Sequence, residues 1–328
     1  MQRVIVFSLA PKLAEYVRSI LPQVIEVIEI PPDKIECYND LQNAEIMIAD
    51  CAALPKVYNQ LNSIKWIQST SAGVEPLLPL FRFNGRFENL VVTRFVDDIY
   101  GLDMAEYIVT QIVNHERQQW KEYESQKRKH WTVNGMFNSR RLIGDLNIGI
   151  MGLGNLGKSV AKILKTFGAT VWSLTRTHNP TVIAETASFV DHHRTNDSLT
   201  EFLSNCDYII SILPATPQTD GFLDGDVLSF CQQRKSVLIN VGRGNIICEN
   251  TIIRALERGW ISAAVLDVFP VEPLPQTSQL WDMPQITITP HNACSVRPQA
   301  IAKLFADNYR KYIQGESLPN TVDFNRGY

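Results

Sequence analysis

The fold class of this 328-residue chain is decided by one stretch, Asn147-Ile-Gly-Ile-Met-Gly-Leu-Gly-Asn-Leu-Gly157. An apolar run, which predicts a strand, leads directly into the pattern Gly152-x-Gly154-x-x-Gly157, and an amphipathic helical pattern follows. Between a strand and a helix, these glycines are typical of a dinucleotide-binding turn. The first permits a tight turn, the second lets a pyrophosphate approach the backbone, and the third lets helix and strand pack closely. The N-terminus of the helix offers free N–H groups to the phosphates.

Apolar runs alternate with amphipathic stretches along the whole chain, which is typical of an α/β protein. Before the glycine turn, strands are predicted at Arg3–Phe7, Val24–Ile30, Glu45–Ala49, Trp66–Ser69 and Leu90–Thr93. From the turn onward, they are predicted at Asn147–Met151, Thr170–Leu174, Tyr208–Ile212, Val237–Val241, Ala263–Val268 and Ile286–Thr289. Helices are predicted from about Asp103 to Gln126 and over Pro298–Ile313. We therefore predict two doubly wound parallel-sheet domains: a Rossmann domain at 104–294, inserted into a flavodoxin-like domain made of 1–103 and 295–328.

Composition and charge exclude several classes of protein. The chain carries 31 Lys+Arg against 34 Asp+Glu, a formal charge of −3, whereas nucleic-acid binders normally show a basic excess. No apolar run approaches the roughly 20 residues that span a bilayer, and the N-terminal apolar stretch is too short for a secretory signal. The six cysteines show no metal-ligand spacing and are expected to be reduced. We therefore expect a cytoplasmic protein without a metal site and without a nucleic-acid or membrane partner.

The end of the strand after the glycine turn indicates which dinucleotide fits. An NAD-binding unit usually places an Asp or Glu there, about 20 residues on, where it binds the ribose 2′-hydroxyl. This chain has Thr175, Arg176 and Thr177 instead, and no acid. A guanidinium can bind a 2′-phosphate and the two hydroxyls add donors, whereas an acid would repel that phosphate. We therefore predict that NADP(H) is the preferred cofactor and that NAD(H) is possible.

Three later strands each lead into polar residues that suit one reaction. The strand at 237–241 leads into Arg243, the next leads through Asp267 to Glu272, and the last leads into His291. In a doubly wound sheet, these strand ends and the glycine turn share one edge, so the side chains can converge near a bound nicotinamide. Arg243 can bind a carboxylate bidentately. His291 can exchange a proton with a carbonyl oxygen, and Glu272 can orient its ring. Together with a hydride donor, they predict reduction of a 2-keto acid to a 2-hydroxy acid.

Four segments carry a resemblance to a known family. They are Gly152–Gly157, Asn240-Val-Gly-Arg-Gly244, Asp267-Val-Phe-Pro-Val-Glu-Pro273 and Thr289-Pro-His291. In their order and spacing, and from about Ile64 to the C-terminal helix, the chain resembles the D-isomer-specific 2-hydroxyacid dehydrogenases. Within that family it is similar to the glyoxylate/hydroxypyruvate reductase A type, as Ser71-Ala-Gly-Val-Glu75 and Met104-Ala-Glu-Tyr107 also indicate. The segment up to about Ser63 matches only in outline.

The resemblance implies an NADPH-dependent reductase that converts small 2-keto acids, such as glyoxylate or hydroxypyruvate, to D-2-hydroxy acids. Its implied catalytic residues are Arg243 for the substrate carboxylate, His291 as acid/base and Glu272 as the partner of His291. The first domain would bind substrate through the backbone of Ala72, Gly73 and Val74, and a homodimer would form through the helix near Met104–Gln126. The predicted cofactor-binding residues are Gly152, Gly154, Asn155, Leu156, Gly157, Thr175, Arg176, Thr177, Leu213, Pro214, Thr219, Val241, Gly242 and Asp267.

Two other functions stay open on the sequence. The transcriptional corepressors of the same family sense dinucleotides and keep the same Arg, Glu and His, so these residues do not exclude a binding protein. The chain shows neither long disordered extensions nor a basic excess, which disfavours that function. A formate-type dehydrogenase would usually need NAD and a substrate loop different from Ser71–Val74.

Overall fold

Two parallel β-sheets organise the chain, each in a compact unit of its own. The structure, a computed structural model, describes residues 2–34, 41, 44–77, 79, 90–131 and 140–324. One unit comprises Met1–Asp97 and Ser295–Tyr328, and the other comprises Asp98–Cys294. The predicted class of two parallel-sheet α/β domains is confirmed. The first division lies at 97/98 rather than at the predicted 103/104, because the helix that begins at Asp98 belongs entirely to the second unit.

The first unit contains a five-stranded sheet. Its strands are β1 (Gln2–Phe7), β2 (Ile25–Glu29), β3 (Ile46–Ala49), β4 (Trp66–Ser69) and β5 (Val91–Thr93). Helix α1 (Leu13–Ile20) and a 3-10 helical stretch, Cys51–Ser63, connect some of them. The sheet order is β2-β1-β3-β4-β5 with every pair parallel. This is the flavodoxin-like order.

The C-terminal helix, Pro298–Ile313, packs in the same unit. The ring of Trp66 is fully buried and stacks on Phe305 with centroids 5.1 Å apart. Beside it, Oε1 of Gln68 accepts hydrogen bonds from Nδ2 of Asn308 at 2.9 Å and from Oγ1 of Thr93 at 2.8 Å. Buried polar groups are costly unless they are paired, so this paired set holds the helix in one position on β4 and β5.

The second unit contains a seven-stranded parallel sheet. Its strands are β6 (Asn147–Met151), β7 (Thr170–Thr175), β8 (His192–Thr195), β9 (Tyr208–Ser211), β10 (Ser236–Asn240), β11 (Ile261–Leu266) and β12 (Ile286–Ile288). The order is β12-β11-β10-β9-β6-β7-β8. Counted from β6 as the first strand, this is the Rossmann order 3-2-1-4-5-6 with a seventh strand added. We call the edge where the C-terminal ends of these seven strands lie the carboxyl edge.

Helices cover both faces of the seven-stranded sheet. The helices of this unit are α2 (Asp98–Glu116), α3 (Gln119–Lys127), α4 (Asn155–Thr166), α5 (Pro180–Thr186), α6 (Leu199–Asn205) and α7 (Glu249–Glu257), and all but α3 contribute to the apolar clusters on the sheet. Successive side chains of β9 pack into two different apolar clusters. Tyr208 and Ile210 belong to one cluster, and Ile209 belongs to the other. A strand buried on both faces reads as a continuous apolar run, which is why the sequence predicted it readily. No helix in the described part of the chain is both long enough and apolar enough to cross a membrane.

Two elements differ from the predictions. The single helix predicted from Asp103 to Gln126 is two helices, because Gln118 has a φ of 52° and interrupts the helical path between α2 and α3. Strand β8, His192–Thr195, was not predicted, because its sequence His-His-Arg-Thr is polar throughout. It lies at the outer edge of the sheet, where it pairs only with β7 among the described strands. Its polar side chains suit such an edge.

Candidate active site

The glycine turn follows β6 and leads into α4. Gly152 has a φ of 98°, which favours glycine, and its N–H donates to the carbonyl of Leu174 at 3.0 Å. A Cβ on Gly157 would collide with the carbonyl oxygen of Gly152, so only glycine fits there. A Cβ on Gly154 would meet nothing within 4 Å. The turn is therefore closed at its base and open at Gly154, beside the first N–H groups of α4, as a pyrophosphate requires.

The residues predicted to meet a 2′-phosphate lie at the end of β7, next to β6 in the sheet. Oγ1 of Thr175 donates to the carbonyl of Thr177 at 3.2 Å, which closes the turn around Arg176. Arg176 and Thr177 are exposed and Thr175 is half-buried. The guanidinium is thus accessible from solvent, one strand spacing from the glycine turn.

The turns after β9 and β10 approach each other closely. A Cβ on Gly242 would lie 2.7 Å from both the backbone nitrogen and the backbone oxygen of Leu213, so this contact requires glycine. In the β9 turn, Oγ1 of Thr219 donates to the carbonyl of Pro214 at 2.6 Å and fixes the loop. Val241, which begins the β10 turn, is buried. The predicted cofactor-binding residues of these two turns therefore lie against each other at the carboxyl edge.

The fully buried side chain of Asn240 shapes the turn that carries Arg243. Its Nδ2 donates to the carbonyl of Arg243 at 2.9 Å, and its Oδ1 accepts from the N–H of Gly242 at 3.3 Å. On the other side, a Cβ on Gly244 would overlap the backbone of Phe269. Nη1 of Arg243 donates to the carbonyl of Gly242 at 2.7 Å, and the half-buried side chain follows β10 at the carboxyl edge.

Glu272 and His291 form a hydrogen-bonded pair. Nδ1 of His291 lies 2.7 Å from Oε2 of Glu272, and Oε1 of Glu272 accepts from the N–H of Phe269 at 2.9 Å. The side chain of His291 is 53% exposed and that of Glu272 is 35% exposed. Because Nδ1 shares its proton with the carboxylate, Nε2 is the nitrogen left to exchange a proton with a ligand. The carboxylate is itself held, so it can keep the ring in one orientation.

Asp267 is directed at the segment that carries His291. Asp267 is 1% exposed, and its carboxylate accepts hydrogen bonds from Oγ1 of Thr289 at 2.6 Å, the N–H of Asn292 at 2.9 Å and the N–H of Ala293 at 3.0 Å. The sequence predicted Asp267 only as a cofactor-binding residue. The hydrogen bonds observed for its carboxylate come from residues on both sides of His291, two of them from backbone N–H groups.

Strand order determines how these groups line up. Along the carboxyl edge the order is His291 after β12, Asp267 and Glu272 after β11, Arg243 after β10, Leu213 after β9, the glycine turn after β6 and Arg176 after β7. Four strand spacings separate β7 from β11, which is about 19 Å at the usual spacing between strands. A ligand that meets both ends must be long and extended, as a dinucleotide is.

The residues predicted to bind substrate through their backbone lie in the first unit, after β4. They are Ala72, Gly73 and Val74. Oγ of Ser71 donates to the carbonyl of Gly73 at 2.8 Å, and Oγ of Ser69 donates to the carbonyl of Ser71 at 2.8 Å. Val74 is buried, whereas Ala72 and Gly73 are half-buried. Two serine side chains therefore fix the backbone of this loop.

Asn240 is a site residue that the sequence analysis did not select. It ends an apolar strand, the same signal that singled out the residues after β11 and β12, but its role in shaping the Arg243 turn appears only from the hydrogen bonds. Within the described ranges, no group of three or more His, Cys, Asp or Glu side chains could hold a metal ion. The cysteines there, Cys51, Cys206, Cys231, Cys248 and Cys294, are free thiols, and Cys37 lies outside the described residues.

Comparison with known proteins identifies the family. The model of the D-isomer specific 2-hydroxyacid dehydrogenase, NAD binding domain, matches residues 109–293, more than half of the chain. The chain belongs to the D-isomer specific 2-hydroxyacid dehydrogenase family. As a D-2-hydroxyacid dehydrogenase it is an oxidoreductase, and the glycine turn lies within the residues that match the NAD binding domain.

Solved structures resemble this dehydrogenase over nearly its whole length. An NADPH-dependent glyoxylate/hydroxypyruvate reductase of Sinorhizobium meliloti, in complex with NADP and sulfate, is 27% identical with a TM-score of 0.85, and 100% of each chain is covered. A D-isomer specific 2-hydroxyacid dehydrogenase of Xanthobacter autotrophicus Py2, with NADPH and MES, is 25% identical with a TM-score of 0.85, covering 100% of this chain and 99% of that one. A family protein of Aeromonas salmonicida is 28% identical with a TM-score of 0.82, covering 98% and 99%.

Proposed function

We propose that this dehydrogenase uses NADPH to reduce small 2-keto acids, first of all glyoxylate and hydroxypyruvate, to D-2-hydroxy acids. The observation that carries the proposal is the hydrogen-bonded pair of His291 and Glu272, which shares one sheet edge with Arg243 and the glycine turn. The Sinorhizobium reductase and the Xanthobacter protein, crystallised with NADP and NADPH respectively, support the choice of cofactor.

The cofactor would lie along the carboxyl edge. Its pyrophosphate would meet the open space at Gly154 and the N-terminus of α4, with Asn155 and Leu156 beside it. Its 2′-phosphate would meet Arg176, with Thr175 and Thr177 as further donors. When bound, NADPH supplies the hydride that reduces the carbonyl carbon of the substrate.

The side chains of the second unit would bind and protonate the substrate. Arg243 binds the carboxylate with two parallel N–H donors and thereby places the neighbouring carbonyl group. His291 gives the proton on Nε2 to the carbonyl oxygen, which becomes the hydroxyl of the product, and the neutral ring regains a proton from water. Glu272 holds Nδ1 and keeps the ring oriented for the transfer.

Residues of the first unit complete the proposal. Backbone N–H groups at Ala72, Gly73 and Val74 would donate to the substrate, and Ser71 would keep that loop in shape through its bond to Gly73.

A screen of reductase activity tests the proposal. The purified chain is mixed with NADPH and, in turn, glyoxylate, hydroxypyruvate, phenylpyruvate and pyruvate, and the loss of the reduced cofactor is followed by absorbance. We expect turnover with glyoxylate or hydroxypyruvate and a lower KM for NADPH than for NADH. Formate with NAD is a further arm. Turnover in that arm alone would favour a formate-type dehydrogenase, and no turnover in any arm would favour a dinucleotide-sensing protein.

The variant His291→Asn tests the acid/base role. Asparagine tolerates the positive φ of 52° at this position, so the backbone is not the cause of a loss. We expect loss of turnover with unchanged affinity for NADPH, measured by fluorescence titration. His130→Asn, at an exposed histidine just after α3, is the matched control and should keep full activity. Reduction by His291→Asn at the wild-type rate would overturn the mechanism.

A further inference from the structure

A chain of hydrogen bonds with one direction runs from helix α2 to the carboxyl edge. The hydroxyl of Tyr107 lies 2.6 Å from Oγ1 of Thr289, and Oγ1 of Thr289 lies 2.6 Å from Oδ1 of Asp267. A carboxylate only accepts, so Thr289 donates its single hydroxyl hydrogen to Asp267. The hydroxyl of Tyr107 must therefore donate to Thr289. The direction of the chain is from Tyr107 through Thr289 to Asp267.

The far end of this chain holds the backbone on both sides of His291. Besides the bond from Thr289, the carboxylate of Asp267 accepts from the N–H groups of Asn292 and Ala293, and the carbonyl of Asp267 accepts from the N–H of His291 at 2.8 Å. His291 has a φ of 52°, a left-handed conformation that is uncommon for residues other than glycine. The four bonds to Asp267 hold the backbone in this conformation.

The hydroxyl of Tyr107 keeps its role as a donor at neutral pH. Burial raises the pKa of Tyr107 to about 12, so its hydroxyl stays protonated and remains a donor. A donor that points at the oxygen of Thr289 fixes the rotation of that hydroxyl, and consecutive hydrogen bonds polarise and strengthen one another. The bond of Thr289 to Asp267 therefore depends on the hydroxyl of Tyr107.

We propose that Tyr107 is a positioning residue for His291, acting through Thr289 and Asp267. The catalytic part of this proposal rests on the proposed function, in which His291 is the acid/base. A proton donor must be held within a few tenths of an ångström of its productive position. The hydroxyl of Tyr107, on a helix distant in sequence from His291, sets that position.

The variant Tyr107→Phe removes the hydroxyl and keeps the ring. We expect kcat for keto-acid reduction to fall about 3- to 10-fold, while the KM for the keto acid and the affinity for NADPH stay unchanged. The matched control is Tyr208→Phe, because the hydroxyl of the buried Tyr208 also donates a hydrogen bond in the same unit, to Oε1 of Glu116 at 2.7 Å. It lies at the start of β9, away from the carboxyl edge, and should lose thermal stability with kcat intact.

A double-mutant cycle tests whether Tyr107 acts through Thr289. Thr289→Val keeps the shape of the side chain and removes the relay, whereas Thr289→Ser keeps the hydroxyl. We expect Thr289→Val to lower kcat and Thr289→Ser to keep most of it. Adding Tyr107→Phe to Thr289→Val should cost nothing more. Losses that multiply in the double variant, or a wild-type kcat in Tyr107→Phe, would overturn the proposal.

Amide hydrogen exchange gives a readout that does not need catalysis. We expect the N–H groups of Asn292 and Ala293 to exchange faster in Tyr107→Phe than in the wild type, and Tyr208→Phe to leave them unchanged. If the wild type reduces no 2-keto acid, the proposed function fails, yet faster exchange in Tyr107→Phe would still support the positioning chain. Unchanged exchange in Tyr107→Phe would overturn that chain whatever the activity.

Discussion

We expect the choice between NADPH and NADH to depend on the guanidinium of Arg176, directly after β7. Arg176 is exposed between two threonines, in the position where an acid would bind the ribose of NAD. A charge-assisted hydrogen bond contributes about 1.5–3 kcal/mol, which is about 10- to 100-fold in affinity. We therefore expect Arg176→Ala to raise the KM for NADPH by about that factor and to leave the KM for NADH unchanged. Steady-state kinetics with both cofactors measures the change.

The control for this prediction is another exposed arginine of the same unit. Arg258 follows α7 and lies over the ring of Trp260 at 5.3 Å, so Arg258→Ala removes a cation without removing the proposed phosphate ligand. We expect the same KM values as in the wild type. An equal rise in the KM for NADPH and the KM for NADH in Arg176→Ala would show that the arginine does not bind the 2′-phosphate.

Residue types at strand ends were predictable because they depend on short-range pattern. The sequence predicted that Glu272 pairs with His291, and the two side chains lie 2.7 Å apart. Their catalytic roles stay predictions. The contributions of Asn240, Thr289 and Tyr107 were not predictable, because each depends on which backbone groups of distant segments come within hydrogen-bond distance.

At the scale of elements, two glycines of the same turn are expected to have different effects, Gly157 on stability and Gly154 on cofactor affinity. A Cβ on Gly157 would collide with the carbonyl oxygen of Gly152, whereas a Cβ on Gly154 would meet nothing of the protein within 4 Å. We expect Gly157→Ala to lower the melting temperature of the cofactor-free protein, since strand and helix must separate. Gly154→Ala should keep the melting temperature and lose affinity for NADPH, because the methyl group takes the space of the pyrophosphate.

Thermal denaturation without cofactor and titration with NADPH measure these two effects separately. Each glycine variant serves as the control for the other. Wild-type affinity in Gly154→Ala would mean that the pyrophosphate does not approach this turn. A wild-type melting temperature in Gly157→Ala would mean that β6 and α4 can adjust without cost.

Elements were predictable where burial governs them. Strands β9 and β10 are buried along their whole length and mostly apolar, and both were predicted to within a residue or two. Strand β8 was missed, because its residues are held by side-chain contacts rather than by burial. Among those contacts, the ring of His193 bonds to Ser173 at 3.0 Å and Arg194 pairs with Glu201 at 2.6 Å. The break at Gln118 was missed as well, because glutamine carries no local signal for a positive φ.

At the scale of the whole molecule, a half-buried histidine links stability to pH. His115, near the end of α2, packs its ring against Tyr208 with centroids 6.0 Å apart, and burial lowers the pKa of His115 below its ordinary value. The unfolded chain therefore binds a proton at a pH where the folded chain does not. The contribution of the neutral His115 ring to the free energy of unfolding is complete above the ordinary histidine pKa of about 6.5. It declines as the pH falls below that value.

The variant His115→Gln removes this titration. From urea denaturation at about pH 8 and about pH 5, we expect the free energy of unfolding to fall more steeply in the wild type than in the variant. His130→Gln, at an exposed histidine, should follow the wild type. Parallel curves for His115→Gln and the wild type would contradict the prediction.

We also expect the whole molecule to be a homodimer, formed through α2 and α3. Large apolar side chains are exposed along these two helices, among them Leu102 at 47% and Trp120 at 46%, and such surfaces often mark interfaces. Light scattering measures the mass in solution, and Leu102→Glu together with Trp120→Glu should give a monomer. Val24→Glu, at an exposed valine of the first unit, is the control and should leave the mass unchanged. A wild-type monomer at micromolar concentration would contradict this proposal.

The order of the turns along the carboxyl edge separates the residues proposed to select the cofactor from those proposed to act on the substrate. Arg176 and Glu272 follow strands that lie about 19 Å apart, and substitutions that far apart without shared partners usually act additively. We expect variants that exchange NADPH for NADH to keep the same ranking of keto acids. Selection, natural or in the laboratory, can then adapt the reducing cofactor and the substrate in separate steps, each without undoing the other.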